Sequence, residues 1–255
     1  GPSFPTRRSS DLLDANRQRE TAHRYMLGLY RVMEELTTKF PEVLFESCAS
    51  GGGRFDPGML YYMPQTWTSD DTDAIERLKI QYGTSLVYPS ITMGSHVSAV
   101  PNHQLHRITP LTTRGNVAMG GNFGYELDVI KMTDKEKQTV KKQISDYKEI
   151  RHIVQFGDFY RLISPFENND AAWMFISENK EDVVVSYFKK LAECNVKLKV
   201  LKFKGLDPEM NYRVIGTNEI YGGDELMYAG MVVPELKGDF TSYVWRLKKH
   251  YNVLL

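Results

Sequence analysis

The sequence predicts a parallel α/β domain followed by an antiparallel all-β domain. Three observations carry this reading. From Leu13 to about residue 155, short apolar runs alternate with helical periods, in the order strand, loop, helix, strand. Past about residue 156 no helical period is sustained, and short apolar runs follow one another between turns. The chain has 255 residues, 42% hydrophobic and 25% charged, a globular composition long enough to bury a sizeable core.

The elements follow in order. Residues 1–12, GPSFPTRRSSDL, carry paired Arg7–Arg8 and Ser9–Ser10 with no period. They resemble a translated sequencing adapter and are set apart as non-native. Met26, Leu29, Tyr30, Met33, Leu36 and Phe40 then form one apolar stripe, a helix that Pro41 stops. Val43 to Phe45 reads as a short buried strand running into Glu46–Ser50 and the glycines Gly51 to Gly53. Gln65 to Ser69 is a second strand, followed by Asp70, Asp71 and Asp73 and a helix from Ala74 to about Tyr82, with Ile75 and Leu78 inward. Asp73 and Glu76 are spaced as in a capping box. Leu86 to Met93, interrupted by Pro89, and Phe123 to Val129 are further apolar stretches. Thr133-x-x-Glu136 opens a helix carrying Val140, Ile144, Tyr147 and Ile150. In such folds the ligand site lies at the carboxyl ends of the strands.

Residues 156–255 are expected to form an antiparallel β-sandwich with one polar face. Its strands are Phe159–Phe166, Ala171–Ser177, Val183–Phe188, Val196–Phe203, Tyr212–Ile215 and Phe240–Leu247. The alternation Val196, Leu198, Val200 slips to Leu201, Phe203, which suggests a β-bulge.

Composition narrows the function. Lys+Arg and Asp+Glu both number 32, so there is no electrostatic reason to expect nucleic acid or an acidic membrane as partner. No apolar run approaches the roughly 20 residues that span a bilayer, and the start lacks the apolar core of a signal peptide. Cys48 and Cys194 form no C-x-x-C and no disulfide framework. A cytoplasmic protein without structural metal is expected.

Two segments can carry chemistry. Ser69-Asp70-Asp71-Thr72-Asp73 places three carboxylates at a strand-to-helix junction, just after Trp67. The functional reading is a general acid or base; the structural one is helix N-capping, which accounts for one or two of the three. Glu46 to Asp56, ESCASGGGRFD, combines Cys48 with three glycines whose bare amides let a ligand approach. It is no phosphate loop, since no Lys-Ser/Thr follows the glycines. A flexible turn with a buried Cys48 is the plainer alternative. His96, His103 and His106 match no standard zinc spacing and read as loop residues. Met59 to Met63 reads as core, and Lys197, Lys199, Lys202 and Lys204 as a solvated strand face.

The residues also carry a resemblance. Glu46–Ser85 (ESCASGGGRFDPGMLYYMPQTWTSDDTDAIERLKIQYGTS), Arg17–Tyr30, Pro89–Arg107 and Thr112–Asp128 resemble the matching stretches of microbial α-galactosidases of glycoside hydrolase family 36. The combined C-x-x-G-G-G-R-x-D and W-x-S-D-D-x-D pattern is specific; the likeness continues more loosely to the end. The resemblance implies the last part of a (β/α)8 barrel, residues 13–155, followed by the C-terminal β-sandwich, 156–255. It implies retaining hydrolysis of terminal α-galactosyl groups from melibiose- and raffinose-type oligosaccharides, without cofactor or metal. Asp70 would be the general acid/base. Cys48, Ala49, Ser50, Gly51 and Asp70 would bind the sugar, with Trp67, Asp71, Asp73 and Arg54 around them. The family nucleophile is an Asp in a K-W-D-type motif, and nothing like it occurs in this sequence. The chain therefore looks like a truncated, inactive piece of an enzyme whose full-length relatives are often homo-oligomers. A galactosyl-transferring relative, as in raffinose synthesis, and a non-catalytic carbohydrate-binding relic are the alternatives.

Overall fold

The structure, a computed structural model, describes residues 13–48, 54–195 and 198–251. They fall into two compact units that divide between Asp70 and Asp71.

The first unit opens with a 3-10 turn, Gln18–Glu20, and helix α1, Thr21–Lys39. Met26, Leu29, Tyr30, Met33 and Leu36 of the predicted stripe form its half-buried face, Phe40 lies exposed past its end, and Arg24–Glu20 (2.7 Å) and Arg31–Glu35 (3.2 Å) pair on the exposed side. The helix ends before Pro41, whose ring cannot continue it. The next strand, β1, is Glu46–Ser47 and not Val43–Phe45. Val43 and Leu44 are exposed; pairing, not apolarity, selects the strand. Helix α2, Pro57–Tyr62, has proline in its first turn, and the Asp56 carboxylate accepts from the Met59 amide at 3.0 Å. The Tyr30 hydroxyl reaches Asp56 Oδ1 at 3.2 Å, and a Cβ at Gly58 would stand 2.2 Å from that hydroxyl. Met59 is buried but Tyr61 is exposed, so the Met59–Met63 run is core only in part. Strand β2, Gln65–Trp67, runs parallel to β1, with Glu46 opposite Gln65 and Ser47 opposite Thr66.

The second unit begins with helix α3, Ala74–Thr84. Strand β3 is Met93–Ser98, displaced from the expected Leu86–Met93. Leu86 and Val87 lie exposed, and Pro89 precedes a 3-10 turn over Ser90–Thr92. The strand is polar in sequence (MGSHVS) yet almost wholly buried, which hid it. Helix α4, Leu111–Ala118, leads to β4, Asn122–Glu126, parallel to β3 from Gly94 opposite Asn122 to Ser98 opposite Glu126. Helix α5, Asp134–Phe156, starts on the predicted Thr133/Glu136 capping box. Its core face is Gln143, Tyr147, Ile150, Ile153 and Val154; Ile144 faces outward.

Strands β5 (Asp158–Ile163), β6 (Asp170–Ile176), β7 (Asp182–Lys189), β9 (Asn211–Val214), β10 (Ile220–Gly222) and β12 (Thr241–Lys249) form an antiparallel sheet. Its order is β10-β9-β12-β7-β6-β5. Strands β8 (Val200–Leu201) and β11 (Met231–Val232) pair separately, and helix α6 (Gly223–Tyr228) lies between β10 and β11 in sequence. The register shift lies in β5, between Arg161 and Ile163, not in β8. Val196 and Lys197 lie outside the described residues.

The sheet has no polar face at its centre. One side packs Met174, Val185, Tyr187, Tyr212 and Trp245 with Leu201, Phe203 and Met231. The other packs Trp173, Phe175, Val184 and Phe188 against Ala74, Ile75 and Leu78 of α3 and Tyr147, Ile150, Ile153 and Val154 of α5. Strand β6 is buried at every position for this reason. Among the described residues no helix is long and apolar enough to cross a membrane.

Candidate active site

Parallel pairing of β1 with β2 makes both strands end at the same edge. Cys48 follows β1 directly, and Trp67 closes β2 with Asp70 three residues further on. The two segments singled out in the sequence thus emerge side by side. Ser47 is buried and donates to the Arg54 carbonyl at 3.1 Å, tying together the two ends of the glycine-rich loop. Ala49, Ser50 and Gly51 lie outside the described residues. Cys48 is exposed, so it is no buried structural cysteine. Trp67 and Arg54 are half-buried.

The carboxylates of the S-D-D-T-D turn separate into different tasks. Asp73 is buried and caps α3: its Oδ1 accepts from the amides of Ile75 and Glu76, both at 3.0 Å. It also forms an ion pair with Arg107. Asp71 Oδ1 accepts from the Asp73 amide at 3.0 Å and so shapes the turn. Asp70 is exposed, at the point where the chain leaves β2. Capping accounts for Asp73 and turn closure for Asp71, which leaves Asp70 presented to solvent.

Helix α3, which follows the turn, is tied to β3 and to the end of α4. Arg77 is buried on α3 and donates to the Gly94 carbonyl at 2.7 Å; burial holds its guanidinium down at about 10. Gln81 links the Val117 carbonyl and Ser95 at 2.9 and 2.8 Å. Among the described residues, no three His, Cys, Asp or Glu side chains converge to hold a metal ion. His96 lies beside Glu126 at 4.0 Å, while His103 and His106 are exposed. The histidines stand out in the sequence, yet it is Asn102 and Arg107 of that stretch that touch Thr72 and Asp73. Neither has a spacing signal; only the fold brings them to the turn.

Comparisons with known proteins agree with this geometry. Residues 6–157 match the family model described as Melibiase, and residues 170–247 match that of the glycosyl hydrolase family 36 C-terminal domain. The chain is 64% identical over 239 residues to alpha-galactosidase AgaA of Geobacillus stearothermophilus, covering 94% of this chain and 33% of the relative. It is 50% identical over 236 residues to alpha-galactosidase Mel36A of Lactobacillus acidophilus, covering 92% and 32%. Among solved structures, an AgaA variant in complex with raffinose superposes with a TM-score of 0.91 at 63% identity, over 94% of this chain and 33% of that one. The alpha-galactosidase from Lactobacillus brevis superposes at 0.91 and 47% identity, over 94% and 33%. The chain thus spans about a third of the length of the relatives it matches.

Proposed function

Because this chain belongs to glycoside hydrolase family 36, its first part matching the melibiase model, we propose that it carries the acid/base half of a retaining α-galactosidase. The observation that supports this most is the division of labour in the S-D-D-T-D turn, where Asp71 and Asp73 are spent on structure and Asp70 is not. Asp70 is the catalytic residue: protonated, it gives its proton to the leaving oxygen, then takes one from the water that hydrolyses the glycosyl-enzyme. Cys48, Ala49, Ser50 and Gly51 bind sugar hydroxyls, supported by Trp67 and Arg54. The nucleophilic carboxylate comes from outside these 255 residues, since the sequence holds no K-W-D-type motif. A retaining pair must stand about 5–5.5 Å apart, so the 255-residue chain by itself does not turn over. Residues 13–155 form part of the (β/α)8 barrel and 156–255 the C-terminal β-domain. The substrates are melibiose- and raffinose-type α-galactosides; the complete protein is cytoplasmic and a homo-oligomer.

The test is hydrolysis of melibiose and raffinose by the complete polypeptide that carries this sequence, with and without Asp70→Asn. Release of α-galactose as the first-formed anomer, with the variant down about 10²–10⁴-fold, is expected. Galactose moved only onto acceptor sugars would make the protein a transferase, and binding without turnover would make it a carbohydrate-binding protein.

A further inference from the structure

Thr72 and Asp73, which follow the S-D-D motif, are gripped by one short loop, residues 102–107. Asn102 is buried and donates from Nδ2 to Thr72 Oγ1 at 3.2 Å. Its side-chain oxygen accepts from the amides of Gln104 and Leu105, both at 2.9 Å. Its backbone closes the loop, accepting from His106 at 2.8 Å and donating to the Arg107 carbonyl at 2.9 Å. At the loop's far end Arg107 pairs with Asp73 Oδ1 and lies 3.8 Å from Glu76.

A separate observation lies on the antiparallel sheet. The Arg107 guanidinium sits over the ring of Phe240, its Cζ 5.3 Å from the centroid. Phe240 directly precedes β12 and has φ 53°, a left-handed backbone that costs a bulky residue about 1–3 kcal/mol. Glycine would take that conformation freely, but would leave the guanidinium nothing to rest on. The Phe240 amide donates to the Lys190 carbonyl at 2.9 Å, and its ring also packs on the helix-side core. The strained residue is thus fixed from the sheet and delivers an aromatic face to the cation that holds Asp73.

We propose that Arg107 is a positioning residue for the Asp70 acid/base, and that Phe240 is the part of the C-terminal sheet that holds Arg107 in place. The proposal rests on the reading of Asp70 given above. Only Asp71, whose carboxylate accepts from the Asp73 amide at 3.0 Å, separates Asp70 from Thr72 along the chain. A general acid must lie within hydrogen-bond reach of the leaving oxygen, and a displacement of about 1 Å costs on the order of 10²-fold. This assigns the C-terminal sheet a task in the reaction.

The test uses Phe240→Leu, Phe240→Tyr and Arg107→Lys in the complete polypeptide. Two substrates are compared: melibiose, whose departure needs a proton, and a nitrophenyl α-galactoside, whose departure needs little. Phe240→Leu should lower kcat/KM on melibiose about tenfold more than on the nitrophenyl substrate, the mark of impaired acid catalysis. Phe240→Tyr, which keeps the ring, should restore the ratio, and Arg107→Lys should shift it as Phe240→Leu does. If Phe240→Leu does not fold, Arg107→Lys decides alone. A lower melting temperature with the ratio unchanged within about twofold overturns the proposal, because a merely structural role depresses both substrates equally. An unsubstituted protein that hydrolyses neither substrate overturns the reading of Asp70 and this proposal with it. An active one with a constant ratio overturns this proposal alone.

Discussion

Asp70 and Asp73 stand three residues apart and should answer to substitution in opposite ways. Asp73→Asn keeps a capping oxygen for Ile75 and Glu76 but discards the charge opposite Arg107; Asp73→Ala discards both. Loss of a cap costs about 0.5–2 kcal/mol, and a buried carboxylate removed from its ion pair costs about 3–5 kcal/mol. Arg107 remains about a quarter exposed, which keeps the expected loss for Asp73→Ala toward 2–3 kcal/mol by roughly that reasoning. Asp70→Asn, exposed, should stay within about 0.5 kcal/mol of the parent. Denaturant midpoints of the three variants check this; equal losses at both positions would contradict the separation of roles. At this scale the sequence was informative about residue types and not about their partners. The three acids and the glycine loop were visible in it. That Asp73 meets Arg107, 34 positions downstream, was not, because no local period encodes a contact across a loop. Cys48, left open in the sequence between a sugar contact and a buried turn residue, is exposed.

Elements were legible where a period or a cap is strong. Helix α1 followed from its stripe and Pro41, and α5 from its capping box. Helix α4 was missed because LTTRGNVA has weak helix formers and no apolar stripe. Its glycine answers to packing: a Cβ at Gly115 would stand 2.1 Å from Gln143 Nε2 on α5. Strand β3 was missed because it is buried while polar, its serines serving hydrogen bonds such as Ser95 to Gln81. The polar face expected of the β-domain is replaced by Trp173, Phe175 and Phe188, packed on α3 and α5. Two expectations follow. Trp173→Ala should cost about 3–5 kcal/mol, as for other buried aromatics, read from urea unfolding. A chain cut to residues 158–251 should bind a hydrophobic dye and aggregate, because it loses the helices that cover that face. A soluble, cooperatively melting 158–251 fragment would show that the sheet's helix side contributes little.

Over the whole molecule, the buried tyrosines set an alkaline limit. Burial pushes the Tyr125 phenol up to about 12, and its hydroxyl donates to Gln143 Oε1 at 2.7 Å; Tyr147, Tyr187 and Tyr212 are also raised by burial. Unfolded, such a phenol titrates near the ordinary tyrosine value of about 10. Between those limits the unfolded chain loses its proton first. The stability these groups confer is whole below about pH 10 and falls as pH rises toward 12. Urea midpoints across about pH 9 to 11.5 should decline, and Tyr125→Phe should flatten the slope by up to about one proton. An unchanged slope would mean the phenol is solvated.

The acid/base role proposed for Asp70 is tested by Asp70→Ala in the complete polypeptide, given a nitrophenyl α-galactoside and azide. The good leaving group departs without a proton, so the glycosyl-enzyme still forms but lacks the base that activates water. Azide needs no base. It should restore turnover and yield α-galactosyl azide, the configuration of the substrate, identified by NMR. A β-galactosyl azide would make Asp70 the nucleophile, and turnover indifferent to azide with an otherwise folded enzyme would remove it from the acid/base role.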